Sequence, residues 1–197
     1  ARGVDPAAIA AGVVTTQRAT VITLDEMGRP LRPAIIWTDQ RRAPPRGRLP
    51  RLWRILFGLL RVRPIVENLE AEAEANWLER YQPELLAQTA HFLLLSGYLN
   101  YRLTGELKDS AGSQVGYVPF DFKKQDWCVD SEWKWHSMAI KRFMLPSLRA
   151  VGETLGAVTA EAAKATGLPM GAPVIAGAAD KACEVLGVGA LEAGAAS

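Results

Sequence analysis

Apolar and polar positions change their spacing several times along this chain, and each change marks an element. Residues 12–16, "GVVTT", and 20–24, "TVITL", are β-rich runs, a turn holds Gly28 and Pro30, and a third run covers 34–38. This pattern predicts a strand meander with short connections. Further on, "LWRILFGLL" reads as a short helix whose apolar face packs down, and "ENLEAEAEANWLERY", 67–81, places Leu69, Ala73, Trp77 and Leu78 near helical spacing. Pro83 then opens "ELLAQTAHFLLLSGYLNYRLTG", which predicts one long buried helix stopped by Gly105. His91 falls inside that helix and reads as a core histidine, since no second ligand stands at i+3 or i+4. The segment from Lys108 to Trp127 alternates loosely, as a strand and a polar turn would.

The last fifty residues are the most regular. "GETLGAV" predicts a strand, Thr159 is a natural N-cap for "AEAAKATG", and Gly167 closes that helix. A "LPMGAP" turn feeds the apolar strand "VIAGAA", so strand, helix and strand follow one another as in an α/β unit. Asp180 lands at or just past the carboxyl end of that strand. Ligands bind at this edge of open α/β sheets, and the small residues Gly177, Ala178 and Ala179 would admit a close neighbour. Two roles stay open for Asp180: capping the helix that follows, and acting as a general base toward a substrate hydroxyl.

Composition narrows the class without choosing a chemistry. A chain of 197 residues that is 49% hydrophobic and 22% charged can bury a core as one globular domain, and its net charge of +2 implies no polyanion partner. Cys128 and Cys183 lack a CxxC spacing, and His91 and His136 are the only histidines, so neither a disulfide framework nor a zinc site is expected. No apolar stretch reaches bilayer length, and the cysteine usage suits a reducing cytosol. We therefore expect a cytoplasmic protein with no membrane and no nucleic-acid partner. The stretch 41–63 holds eight arginines and no acid. It reads as a solvated loop and short helix rather than an anion-binding patch, because its basic and aromatic residues do not interleave in a way suited to base stacking. Trp127, Trp133 and Trp135 read as packing residues, with sugar stacking the alternative.

Several ordered motifs together resemble one family. "TTQRATVITLDEMGRPLRPAIIWTDQRR", "YLNYRLTGELKDSAGS", "QDW" and "TAEAAKATGLPMGAPVIAGAADKACEVLGVGA" are similar to the amino-terminal domain of the FGGY carbohydrate kinases, over nearly all of residues 5–194. The resemblance implies an α/β, ribonuclease H-like (actin-type ATPase) fold, a mixed sheet flanked by helices. It also implies ATP and magnesium as co-substrates, a small-molecule sugar substrate, and subunits that often form homo-oligomers.

Carried over by motif, Asp180 falls on the family's catalytic base and a possible magnesium ligand, together with an aspartate outside this chain. Gln17 and Arg18 fall on the "QR" pair of the sugar pocket. Trp37 and Asp39 fall on "WxDxR", which Arg41 completes as a structural ion-pair partner. Asp109 and Ser110 are substrate-contact candidates. Ala19 stands where glycerol kinases carry a glutamate, Ser110 stands near their tyrosine, and Lys181 replaces a frequent glutamine or asparagine. Ala19 and Ser110 point away from glycerol. Lys181, a further substrate-contact candidate, implies a different hydroxyl pattern or an acidic sugar, or else a solvated lysine on the first helical turn. A ketose such as xylulose is the expected substrate, with a polyol or sugar acid as alternatives.

The family's opening phosphate loop has no counterpart before Val13, where residues 1–12 read as the tail of a helix leading into a strand. Ser197 falls just before the family's "GTS" signature. The resemblance thus implies a partial amino-terminal, sugar-binding domain lacking its first strands and the ATP-binding domain, and inactive alone. A sugar-binding module without kinase activity is the alternative.

Overall fold

The computed structural model describes residues 5–189; the carboxyl-terminal end of the family-like motif and Ser197 lie outside them. In chain order the strands and helices are β1 (Gly12–Val13), β2 (Val21–Leu24), α1 (Arg51–Leu59), α2 (Arg63–Glu72), α3 (Glu74–Tyr81), α4 (Pro83–Gln88), β3 (His91–Leu94), α5 (Leu95–Thr104), β4 (Lys108–Ser110), β5 (Phe120–Asp121), β6 (Asp126–Trp127), α6 (Lys134–Ser137), β7 (Ser147–Arg149), β8 (Thr154–Ala157), α7 (Ala160–Thr166), β9 (Pro173–Ile175) and α8 (Asp180–Gly187). Short 3-10 turns cover Pro6–Ala8, Ala111–Ser113 and Arg142–Met144. The chain folds as two compact units, one built from residues up to Arg18, Leu94–Gln114 and the residues from Pro146 on, the other from Ala19–Leu93 and Val115–Leu145.

In the first unit β1 runs parallel to β9, with Gly12 opposite Val174 and Val13 opposite Ile175, and β8 pairs antiparallel on the other side of β9. The expected meander is corrected here, because β1 takes a partner far down the chain instead of the next strand. A parallel neighbour requires a long crossover, which a local pattern of β-rich runs cannot reveal. Leu155, Val158, Ala162, Ala172, Val174 and Ala176 form the core, with Leu103, Ala163 and Leu168 packed against it. The α7 boundaries match the sequence signals: Thr159 Oγ1 accepts the Ala162 amide at 3.2 Å, and Gly167 ends the helix at φ 77°.

In the second unit the later two runs of the meander do meet, through antiparallel bridges of Val21 with Ile35 and Leu24 with Pro30. The single long helix expected after Pro83 is instead α4, β3 and α5, and His91 lies on the strand. Thr89 turns extended, the Ala90 amide donates to the Leu24 carbonyl at 2.9 Å, and β3 lines up with β2. Phe92, Leu93 and Leu94 are all buried. Consecutive apolar residues suit a strand covered on both faces, and a short run of them looks the same as buried helix in sequence. Gly105 does stop α5, at φ 73°.

The helix expected over 67–81 breaks at Ala73, whose ψ of 118° separates α2 from α3. Asn76 explains how the break is held: its buried amide donates to the carbonyls of Glu70 at 2.7 Å and Ser137 at 2.8 Å and accepts the Ala139 amide at 2.8 Å. Of the tryptophans, Trp127 is buried edge-on to Phe120, Trp133 packs edge-on to Phe57, and Trp135 donates to the Cys128 and Val129 carbonyls.

One expectation about packing fails. In α1 Phe57 alone is buried, while Leu52 and Leu59 are 75% and 77% exposed and Ile55 and Leu60 stand in solvent as well. The arginines around it are engaged in ion pairs rather than simply solvated, and the Arg46 side chain is only 10% exposed. Arg41, Arg42, Arg46, Arg48 and Arg63 pair with Asp39, Glu72, Glu79, Glu79 and Glu67. No helix among the described residues is long and apolar enough to cross a membrane.

Candidate functional site

Asp180 is the first residue of α8, half-buried, and follows β9 after an irregular stretch at 176–179. Its side chain does not cap the helix: Ala179 is the N-cap, and the Asp180 carboxylate sits in the first turn, where the positive end of the helix dipole favours it. Oδ1 accepts the Lys181 amide at 2.8 Å, and Oδ2 has no hydrogen bond among the described residues. That leaves one oxygen open to take a proton.

The turn leading to Asp180 is gripped from two sides within the first unit. From the segment after β1, the Thr16 carbonyl accepts the Asp180 amide at 3.2 Å and the Thr15 hydroxyl donates to the Ala178 carbonyl at 2.9 Å. From the turn after β4, the Ser110 hydroxyl donates to the Gly177 carbonyl and the Gly112 carbonyl accepts the Ala179 amide at 3.2 Å. The small residues before Asp180 make this possible. A Cβ on Gly177 would come within 2.6 Å of Val13 Cγ1 and 2.9 Å of the Val14 carbonyl oxygen. Thus the neighbour that the glycine admits is the protein's own backbone.

The other carried-over residues fall into three groups. Gln17 and Arg18 follow Thr16 directly, so they stand in sequence next to the group holding Asp180; Arg18 is exposed and lies close enough to Lys181 to oppose its charge. Lys181 itself pairs with Glu184 at 2.7 Å on its own helix, and this hydrogen bond raises its pKa. Asp109 and Ser110 are each 1% exposed, and their polar atoms are committed to protein partners. Neither presents a solvent-facing group among the described residues.

Trp37, Asp39 and Arg41 belong to the second unit. Trp37 is 63% exposed. Asp39 Oδ1 accepts the Arg41 amide at 3.0 Å and Arg41 Nε at 2.7 Å, and these contacts hold the carboxyl below its usual range. The Arg41 guanidinium also lies over the Trp77 ring at 4.3 Å. Glu74, which no local pattern singled out, is pushed up to about 7 by burial, with Asp39 and Glu72 adding to the effect. A cavity of about 1050 Å³ opens in the same unit between Arg46, Glu79, His91, Trp135 and Lys141, and none of the candidate residues lines it. Among the described residues no group of three His, Cys, Asp or Glu side chains gathers as a metal site. Asp180 fits one hard oxygen ligand of a magnesium shell.

The description "FGGY family of carbohydrate kinases, N-terminal domain" matches residues 1–187. The chain belongs to this family. FGGY relatives include the xylulose kinase of Escherichia coli, 33% identical over 174 residues that make up 86% of this chain and 34% of the relative. A sugar kinase of unassigned substrate from the same organism is 40% identical over 103 residues, 52% of this chain and 21% of its own length. Among solved FGGY structures, xylulose kinase from Rhodospirillum rubrum superposes with a TM-score of 0.69 at 28% identity, covering 91% of this chain and 37% of that one. Plasmodium falciparum glycerol kinase with ADP, at TM-score 0.66 and 19% identity over 91% of this chain and 36% of that one, shares the fold. The fold is thus the actin-like ATPase fold of the FGGY sugar kinases. The chain spans about a third of the length of the curated relatives it matches.

Proposed function

We propose that this chain is the sugar-side part of a carbohydrate kinase that phosphorylates a hydroxyl of a ketose, with xylulose the leading candidate. The observation that carries the reading is Asp180: a half-buried carboxylate at a strand-to-helix turn, backbone-clamped from two sides, with Oδ2 unpaired among the described residues. Such a group can accept the hydroxyl proton as the sugar oxygen attacks phosphorus, while ADP leaves with the P–O bonding pair. Fixing the carboxylate in advance is the larger part of its contribution, because phosphoryl transfer depends on positioning more than on covalent chemistry. Gln17 and Arg18, which follow the segment that holds Asp180, orient sugar hydroxyls, and Trp37 and Asp39 of the second unit are sugar-contact candidates by motif alone. When bound, ATP supplies the phosphoryl group and magnesium neutralises its charge, with Asp180 one ligand of the metal.

Xylulose leads because relatives over most of the chain are named xylulose kinases. A panel of ketoses, polyols and sugar acids, assayed for ADP release with the longest natural reading frame containing this sequence, tests the reading. Turnover is expected with a five-carbon ketose. Turnover with glycerol alone, or saturable sugar binding with no ADP release on any sugar, would overturn it.

A further inference from the structure

Asp109 is a buried carboxylate that the proposed chemistry does not use. Its Oδ1 accepts the Ser110 amide at 2.8 Å and Asn100 Nδ2 at 3.2 Å, and its Oδ2 accepts the Ser96 hydroxyl at 2.9 Å and Gln114 Nε2 at 2.9 Å. Gln114 Nε2 donates also to the Ser110 carbonyl at 3.0 Å. Both the amide and the carbonyl of Ser110 are therefore tied, directly or through Gln114, to one carboxylate anchored on α5. The fit is tight. A Cβ on Gly97, in the first turn of α5, would lie 3.1 Å from Asp109 Oδ2.

What this anchor holds is the next turn of chain. Ser110 and Gly112 grip the Gly177 carbonyl and the Ala179 amide, which straddle Ala178 just before Asp180. A Cβ on Gly112 would meet the Gly177 carbonyl oxygen at 3.1 Å and Ala178 Cα at 3.4 Å, so the two turns touch backbone to backbone. We propose that Asp109 is a positioning residue, which fixes the aim of the Asp180 carboxylate by locking the Ser110–Gly112 turn against the turn before α8. The inference rests on the kinase reading. It assigns Asp109 an effect on turnover through Asp180, without contact to sugar.

Uncompensated removal of the charge should show it. In Asp109→Asn the new amide group opposes the Ser96 and Gln114 donors. Gln114 must then turn its oxygen toward residue 109, which costs it the bond to the Ser110 carbonyl. A displacement on the order of 1 Å at the base should lower kcat about a hundredfold, with KM for sugar nearly unchanged. Gln114→Glu on the same background matches the new amide at 109 but cannot donate to the Ser110 carbonyl, so kcat should stay low. The assay uses the longest natural reading frame, with thermal melting alongside, and Ser96→Ala serves as a milder variant if Asp109→Asn does not fold. Lower melting temperature with kcat and KM unchanged per folded molecule would overturn the proposal, as would a rise in KM at constant kcat. Asp180→Asn run beside it separates the two claims. If that variant turns over normally, the kinase reading falls; if it is inactive while Asp109→Asn or Ser96→Ala keeps full kcat, the positioning role alone falls.

Discussion

The Asp180 amide donates to the Thr16 carbonyl at 3.2 Å, so the proposed base is held by the irregular segment that follows β1. The next residues after Thr16 are Gln17 and Arg18, the carried-over sugar contacts. One backbone hydrogen bond thus ties the proton acceptor to the segment expected to orient the hydroxyl.

Close backbone approach at Gly177 predicts a large effect from a small change. In Gly177→Ala the added methyl would meet Val13 Cγ1 at 2.6 Å and the Val14 carbonyl oxygen at 2.9 Å, and the carbonyl belongs to backbone that cannot rotate away. Overpacking of this kind costs about 1–3 kcal/mol, which urea denaturation would read as a lower midpoint at unchanged slope.

Gly97→Ala makes the opposite of the usual helix argument. Alanine in a helix normally stabilises by about 1 kcal/mol over glycine, yet here its Cβ would press on the Asp109 carboxylate at 3.1 Å. We expect net destabilisation in thermal melts, and a more stable variant would contradict the packing described around Asp109.

Two arginines on one glutamate should differ in weight. The Arg46 side chain is 10% exposed, pairs with Glu79 through Nε at 2.8 Å and Nη2 at 3.0 Å, and donates to the His136 carbonyl at 2.9 Å. Arg48 reaches the same carboxylate with a side chain 64% exposed. Arg46→Ala should cost about 3 kcal/mol and Arg48→Ala under about 1 kcal/mol, measured as denaturation midpoints.

Acid dependence follows from the buried carboxyls. Burial raises Glu74 to about 7 and Asp109 to about 6, above the usual values of 4.5 and 3.8. A raised folded-state pKa means that the native form binds more protons than the unfolded chain between those values. Stability from these groups is therefore full below about pH 4 and lost as pH rises through 6 to 7. Glu74→Gln should flatten the fall between pH 4.5 and 7, seen in melting temperatures across buffers, and an unchanged profile would contradict the assignment.

How much of this could be read from sequence depends on how local the cause is. Thr159, Gly167 and Gly105 signal helix ends through their own side-chain chemistry or its lack, and each end falls where the signal stands. Asp180 was likewise visible as a carboxylate after an apolar strand. His91–Leu94 was not visible as a strand, because four apolar-rich residues between two helical patterns carry no period of their own. The pairing of Gly12 with Val174 and the burial of Asp109 among Ser96, Asn100 and Gln114 depend on tertiary contacts, and no single stretch records them. The exposed face of α1 shows the converse, a helical pattern correctly read whose apolar residues, Phe57 apart, stay largely exposed.

The measurement closest to the central claim is ADP release by the longest natural reading frame containing this chain, with xylulose as substrate, comparing the parent with Asp180→Asn. Loss of about a thousandfold or more in kcat, with the fold intact by circular dichroism and sugar still bound, is the result expected of a general base clamped at this turn. Turnover within a few-fold of the parent would contradict it and remove Asp180 from the chemistry.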